Sequence, residues 1–162
     1  MFTSGMARTI DATDRGRQAL HLRRPGLVSA RVLTYEAASA APPAVAWALL
    51  AEPARWHEWA PHLRGAWGLG APEVQVGRRG AARLLGVVPV PAVVTAKEPG
   101  RSWTWRVGPV TLDHRVRACA DGTSVVVVAL RAPAPLEALL AVSYGPVVGL
   151  LVGRLARVAE RA

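Results

Sequence analysis

The stretch PPAVAWALLAEPARWHEWAP, Pro42 to Pro61, reads as one helix, a break and a second short helix carrying two tryptophans. Pro42 and Pro43 suit a first helical turn, where backbone N–H groups have no intrahelical partner and proline's φ is already helical. Val45 with Leu49, and Trp47 with Leu50, stand at i, i+4 and i, i+3 and form one apolar stripe. Glu52 precedes Pro53, and a residue before proline is pushed out of the α region, so the first helix stops there. Pro53 opens the second, in which Trp56 and Trp59 share a face while Arg55, His57 and Glu58 point elsewhere. Two indoles on one face make the wall of a core or of a pocket.

Ahead of this stretch, Arg31 to Ala37 alternates as a strand with one apolar face. Residues 1–27 show no sustained period and are expected to be a poorly ordered tail, leaving 28–162 as a single domain. Behind it the punctuation is that of a β-meander. His62–Leu69, Gly77–Leu85, Pro91–Glu98, Arg101–Val107, Val110–Ala118 and Thr123–Leu130 are the predicted strands. In the first, Leu63, Gly65 and Trp67 share a face; in the fourth, Trp103, Trp105 and Val107 do. The fifth alternates most cleanly and sets His114 among Val110, Leu112, Val116 and Ala118. Glu98-Pro99-Gly100 is a reverse turn, and Asp121-Gly122 is the two-residue signature of a type I′ hairpin.

The last strand is apolar on both faces. It is either central and covered on both sides, or its outer face is covered by the tail or by a second copy in a homodimer. Pro135–Glu160 closes the chain as a long helix with Arg154, Arg157 and Arg161 on a basic edge, kinked near Ser143–Pro146 because proline removes a backbone bond. Its uncharged run, Ala138–Gly153, is shorter than the roughly 20 residues a bilayer requires, so no transmembrane span is expected.

The pattern V-x-W-x-L-L-x-x-P-x-x-W-x-x-W-x-P resembles the opening helix pair of the START-like, or SRPBCC, superfamily, in particular its polyketide cyclase/dehydrase and lipid-transport branch. KEPGRSWTWRVG (97–108), the His114 strand, the Asp121-Gly122 turn and the closing helix follow in the order that family places them, over about Arg31 to Arg161. The resemblance and the element order agree on an α+β helix-grip fold: a curved antiparallel sheet of about seven strands wrapped around a long C-terminal helix, with two short helices after the first strand.

Composition narrows the functional classes. The formal net charge of +9 is spread along the chain, nearly all of it on arginine with Lys97 the sole lysine, and no zinc-finger spacing, RNP-like motif or basic helix accompanies it. No nucleic-acid partner is therefore expected. One cysteine, Cys119, forbids an intramolecular disulfide, and no apolar leader run follows Met1, so a cytoplasmic location without a secretory signal is expected.

Enzyme signatures mostly fail. His57 and His62 are five residues apart, about 140° around a helix, where a zinc motif needs i, i+4 on one face. Gly68-Leu69-Gly70 runs into Ala71-Pro72 rather than a helix, so it is a turn and not a dinucleotide site. No metal and no cofactor is expected. The polar and aromatic residues expected to face inward are Trp59, Trp67, Trp105, His114 and Tyr144, each of which could also simply fill a core.

The family resemblance implies a hydrophobic ligand between sheet and helix, with Trp59 towards its mouth, His114 on the floor and Tyr144 on the roof. Aromatase/cyclase members orient polyketides with pocket arginine, tyrosine and histidine; here the alternation sends Arg106, Arg115 and Arg117 outward, leaving Arg83 as the sole inner candidate. Three readings stand. The chain binds a small hydrophobic molecule of lipid, polyketide or isoprenoid type. It is a cyclase/dehydratase-like enzyme, with His114 as general base and Tyr144 as donor to developing charge. Or it docks on a partner or membrane through its apolar strand and helix and the basic edge.

Overall fold

In the computed structural model, which describes residues 32–85 and 87–162, Pro43 stands in the first turn of helix α1 (Pro43–Ala51). Glu52 is extended, with ψ 108°, immediately before Pro53, so the proline ends the helix as the sequence predicts. One 3₁₀ turn, Pro53–Arg55, leads into the single helical turn α2 (Trp56–Trp59). Ala46, Leu49, Leu50 and Ala51 are fully buried. Helix α1 has apolar residues all round because it is enclosed, by the sheet on one side and by the C-terminal helix on the other. The expected tail over residues 1–27 lies outside the described residues.

Seven strands form one antiparallel sheet: β1 (Val32–Ser39), β2 (Leu63–Trp67), β3 (Arg79–Leu84), β4 (Val88–Glu98), β5 (Ser102–Val107), β6 (Val110–Ala118) and β7 (Ser124–Arg131). Their order is β1-β7-β6-β5-β4-β3-β2. The first two strands therefore occupy opposite edges, and α1 and α2 carry the chain from one to the other. Strand register stacks the inner face in rows. Leu33, Leu130, Leu112, Trp105 and Val94 form one row; Tyr35, Val128, His114 and Trp103 form the next. On the outer face Val127 sits between Glu36 and Arg115, and Ala129 between Thr34 and Asp113. Arg117 there pairs with Glu36 at 2.6 Å and Arg115 Nε donates to Asp113 at 2.6 Å, so long polar side chains flank the small apolar ones of β7, itself a central strand.

Two local expectations are corrected. Asp121 does not take the positive φ that a two-residue type I′ turn requires; Gly122 alone does, at 83°. Gly122 N–H donates to Cys119 O and Cys119 N–H to Thr123 O, giving a three-residue loop with a left-handed glycine. Asp121 Oδ1 accepts from both the N–H and the hydroxyl of Thr123, an Asx-turn that closes the loop. In β2 the pairing slips between Leu63 and Ala66, around Gly65 at φ 127°. The extra residue reverses the alternation beyond it, so Ala66 joins Leu63 inside and Trp67 turns out.

The closing helix divides as expected, into α3 (Ala134–Ser143) and α4 (Gly145–Ala159), bent by 59°. Pro146 has no N–H to continue the ladder across the break. Val148, Val152, Leu155, Ala156 and Ala159 bury the inner face of α4 while Arg154 and Arg157 stay in solvent. Tyr35 of β1 lies against Gly145 and Gly149, and a Cβ on Gly145 would overlap its hydroxyl. Ser39 Oγ donates to Ala156 O at 2.9 Å, and Glu160 accepts from Ala40 N–H, fastening β1 to α4. This is the helix-grip arrangement, α+β, expected from the element order. Among the described residues no single helix is long and apolar enough to cross a membrane; α3 and α4 reach that length and composition only together, across the bend.

Candidate functional site

A cavity of about 300 Å³ lies between the inner face of the sheet and α3. Its walls are Leu63, Ala82, Leu84, Val90, Val107, Val110, Leu112, Leu130 and Leu140, with Trp105 and Tyr144 the two side chains that carry a polar atom. The size is at the small end for a ligand site and the lining is of the usual kind, apolar with few polar groups. Tyr144 owes its place to the helix break. It occupies the junction of α3 and α4, where the chain is no longer held in the α3 direction and the ring can reach down to the sheet. Burial pushes its phenol pKa above the ordinary tyrosine range, so the hydroxyl stays protonated.

One row inward from the cavity floor is an aromatic stack. His114 lies flat on Trp103, with centroids 4.0 Å apart and planes 6° from parallel, and Trp103 stacks on Trp56 of α2 at 5.7 Å and 7°. Trp105 meets all three rings edge-on, at 5.4 to 5.9 Å. The register places Trp103 opposite His114 and Trp105 opposite Leu112, so β5 supplies one indole to the stack and the next to the cavity. His114 is 6% exposed. Its pKa is lowered to about 4, chiefly by burial, with Asp113 and the Trp103 backbone opposing the shift. The imidazole is thus neutral near pH 7.

Of the five residues expected to face inward, Trp105 and Tyr144 line the cavity and His114 lies beneath it, against Trp103 rather than in the lining. Trp59 is buried, with its indole N–H donating to Leu49 O at 2.9 Å, and it too is absent from the lining. Trp67 is 48% exposed on the outer face, turned there by the slip at Gly65, and Arg83 lies over its ring at 5.4 Å from the centroid. That contact also settles Arg83, the one arginine left as an inner candidate: it is exposed, on the outer face. Trp56 and Trp103, absent from the expected set, are central to the aromatic stack. Alternation already placed Trp103 beside Trp105; the contact with Trp56 joins elements 47 residues apart and had no local signal.

His57 is exposed, and Glu58 is held by Arg55 through a two-point contact of 2.8 and 3.1 Å, so the polar residues of α2 make no site. Glu73 accepts from the Trp47 indole at 2.9 Å and pairs with Lys97 at 2.6 Å, fastening the segment before β3 to α1. Among the described residues no three His, Cys, Asp or Glu side chains are grouped to hold a metal ion.

Solved structures share this arrangement. Protein MLL2253 from Mesorhizobium loti is 16% identical with a TM-score of 0.66, the match covering 82% of this chain and 98% of that one. A START superfamily protein from Mycobacterium smegmatis is 14% identical with a TM-score of 0.61, covering 80% and 97%. DynU16, encoded in the dynemicin biosynthetic locus, is 19% identical with a TM-score of 0.58, covering 80% of this chain and 47% of that one. At these identities the likeness is one of fold. No curated protein sequence matches the chain. Residues 30–161 match the family described as polyketide cyclase / dehydrase and lipid transport. The sequence match spans all seven strands and both C-terminal helices, and the chain belongs to that family.

Proposed function

We propose that the protein binds a small hydrophobic or amphipathic molecule, of lipid, polyketide or isoprenoid type, in the cavity between the sheet and α3. The observation that carries this is the lining: nine aliphatic residues drawn from six strands and a helix, with Trp105 and Tyr144 as the polar-bearing exceptions. Apolar walls reward any ligand that brings apolar surface, at roughly 25 cal/mol per Å² buried. The enzyme reading draws less support. His114 is separated from the cavity by its stacking on Trp103, and an imidazole of pKa about 4 is a weak base near neutrality.

Gentle organic extraction of the purified protein, with mass spectrometry of the extract, and calorimetric titration with a panel of fatty acids, isoprenoid alcohols and polyphenols test the proposal. A bound species or micromolar binding within the panel is the expected result; a clean extract and no heat from any compound would overturn it.

A docking role has its own supporting observation. Leu85, Val87 and Val88, at the β3–β4 end beside the cavity residues Leu84 and Val90, are exposed, as are Leu139 and Val142 beside Leu140. These two apolar patches adjoin the cavity from the sheet and from α3, positions suited to exchanging a ligand with an apolar phase. Flotation with liposomes of phosphatidylglycerol tests it: Val87→Asp/Val142→Asp should abolish co-flotation, and absence of flotation by the unmodified protein would rule it out.

A further inference from the structure

Strand register gathers arginines that are scattered along the chain onto the outer face of the sheet. Arg79 of β3 lies opposite Val93, Val93 opposite Arg106 of β5, Arg106 opposite Thr111, and Thr111 opposite Arg131 of β7. One row therefore carries three arginines, each two strands and about 9.5 Å of backbone from the next. Only the short side chains of Val93 and Thr111 stand between them, and neither can neutralise a guanidinium. All three arginines are exposed, and none pairs with a carboxylate among the described residues. Elsewhere on this face the positive charge is matched, Arg115 by Asp113 and Arg117 by Glu36. Between Arg79 and Arg106 an open groove of about 470 Å³ runs over Pro91, Val93 and Thr95. At the β2 end of the row Trp67 lies on the same face, opposite Ala81 and 48% exposed, with Arg83 over its ring.

We infer that this outer face binds single-stranded nucleic acid, with Arg79, Arg106 and Arg131 on its backbone phosphates and Trp67 stacking an unpaired base. Guanidinium groups meet phosphate oxygens through paired N–H donors and stay charged at any physiological pH. A cationic track beside an exposed aromatic ring is the arrangement that holds single strands without reading their sequence. A duplex has no free base faces to offer the indole. The sheet curves around α4, so its outer face is convex; a flexible strand can follow the row, whereas a flat bilayer meets only part of it. The net charge of +9 draws polyanions towards the whole protein, and the row gives them a place to settle. Each of its arginines comes from a different strand, so the linear order of residues shows no basic cluster.

Fluorescence anisotropy of a labelled oligothymidylate of about 12 residues, titrated with the full chain over a range of salt concentrations, tests this. Two triple variants remove the same charge: Arg79→Gln/Arg106→Gln/Arg131→Gln from the row and Arg154→Gln/Arg157→Gln/Arg161→Gln from the C-terminal edge. The row variant should lose about tenfold or more in affinity, with the log–log salt slope smaller by about 2, while the edge variant stays within about threefold. Trp67→Ala should lose about fivefold or more, the range for one stacked base. Equal losses in the two triple variants would show general charge attraction and overturn the site, as would full affinity in Trp67→Ala or no binding by the unmodified protein at about 0.1 M salt. Flotation with phosphatidylglycerol liposomes that is lost in the row variant, without oligonucleotide binding, would make the row a bilayer contact and equally overturn it. Should the triple row variant fail to fold, its three single substitutions decide: each should lower the salt slope by about 0.7, and unchanged slopes overturn the assignment.

Discussion

His114 couples the acidity of the medium to the integrity of the aromatic stack. Its pKa is held at about 4 in the folded chain, against roughly 6.5 when unfolded. Between those values the unfolded state binds more protons, so stability is fully present above pH 6.5 and declines as pH falls towards 4, by about 3 kcal/mol from this residue. Urea midpoints measured from pH 4 to 7 should show that slope, and His114→Leu should flatten it. The tryptophans make a second contrast at this scale. Trp59→Ala, deleting a buried indole, should cost about 3–5 kcal/mol, whereas Trp67→Ala, at 48% exposure under Arg83, should cost less than about 1 kcal/mol. Equal losses in denaturant titrations would contradict the outward placement of Trp67.

At the level of elements, glycines decide how strands and helices meet. Gly65, at φ 127° with open space around its missing Cβ, carries the slip in β2. Gly65→Ala therefore imposes backbone strain without a clash, and about 1–2 kcal/mol of destabilisation is expected from thermal unfolding. Gly145 is the reverse case: an added methyl meets the hydroxyl of Tyr35, so the cost is steric. Gly145→Ala should lose about 1–3 kcal/mol, and combining it with Tyr35→Phe should recover part of that loss. Additive losses in the double variant would show that the crowding lies elsewhere.

For the molecule as a whole, the helix-grip arrangement separates the parts that hold the fold from the part that can hold a ligand. The α1, α2 and α4 side is filled by leucines, valines and tryptophans; the α3 side retains the cavity. A ligand that binds only the folded chain raises its stability by about 2.7 kcal/mol at a hundred times Kd. Ala82 is a small residue of the cavity wall, 2% exposed. Ala82→Leu should take up ligand space and weaken binding of any compound found in the panel by about tenfold or more, while the unliganded Tm stays within a few degrees. Undiminished affinity in that variant would place the ligand outside the cavity.

The residues alone were enough for the seven strands, the helix stop at Glu52-Pro53, the break at Gly145-Pro146 and the family, because periodicity and proline act within a few residues of themselves. They were enough also for Trp105, His114 and Tyr144 as inward-facing, since each follows from parity or from the break. They were not enough for Trp67 and Arg83: one inserted residue at Gly65 inverts every later position in β2, and nothing in the alternation itself marks where a strand slips. Nor did they distinguish a cavity wall from a packed core. Trp59 and Trp105 are alike as inward indoles, yet one packs in the core with its N–H on the Leu49 carbonyl and the other forms part of the cavity wall. That difference depends on where α2 and α3 come to rest against the sheet, which is settled by packing between elements far apart in the chain.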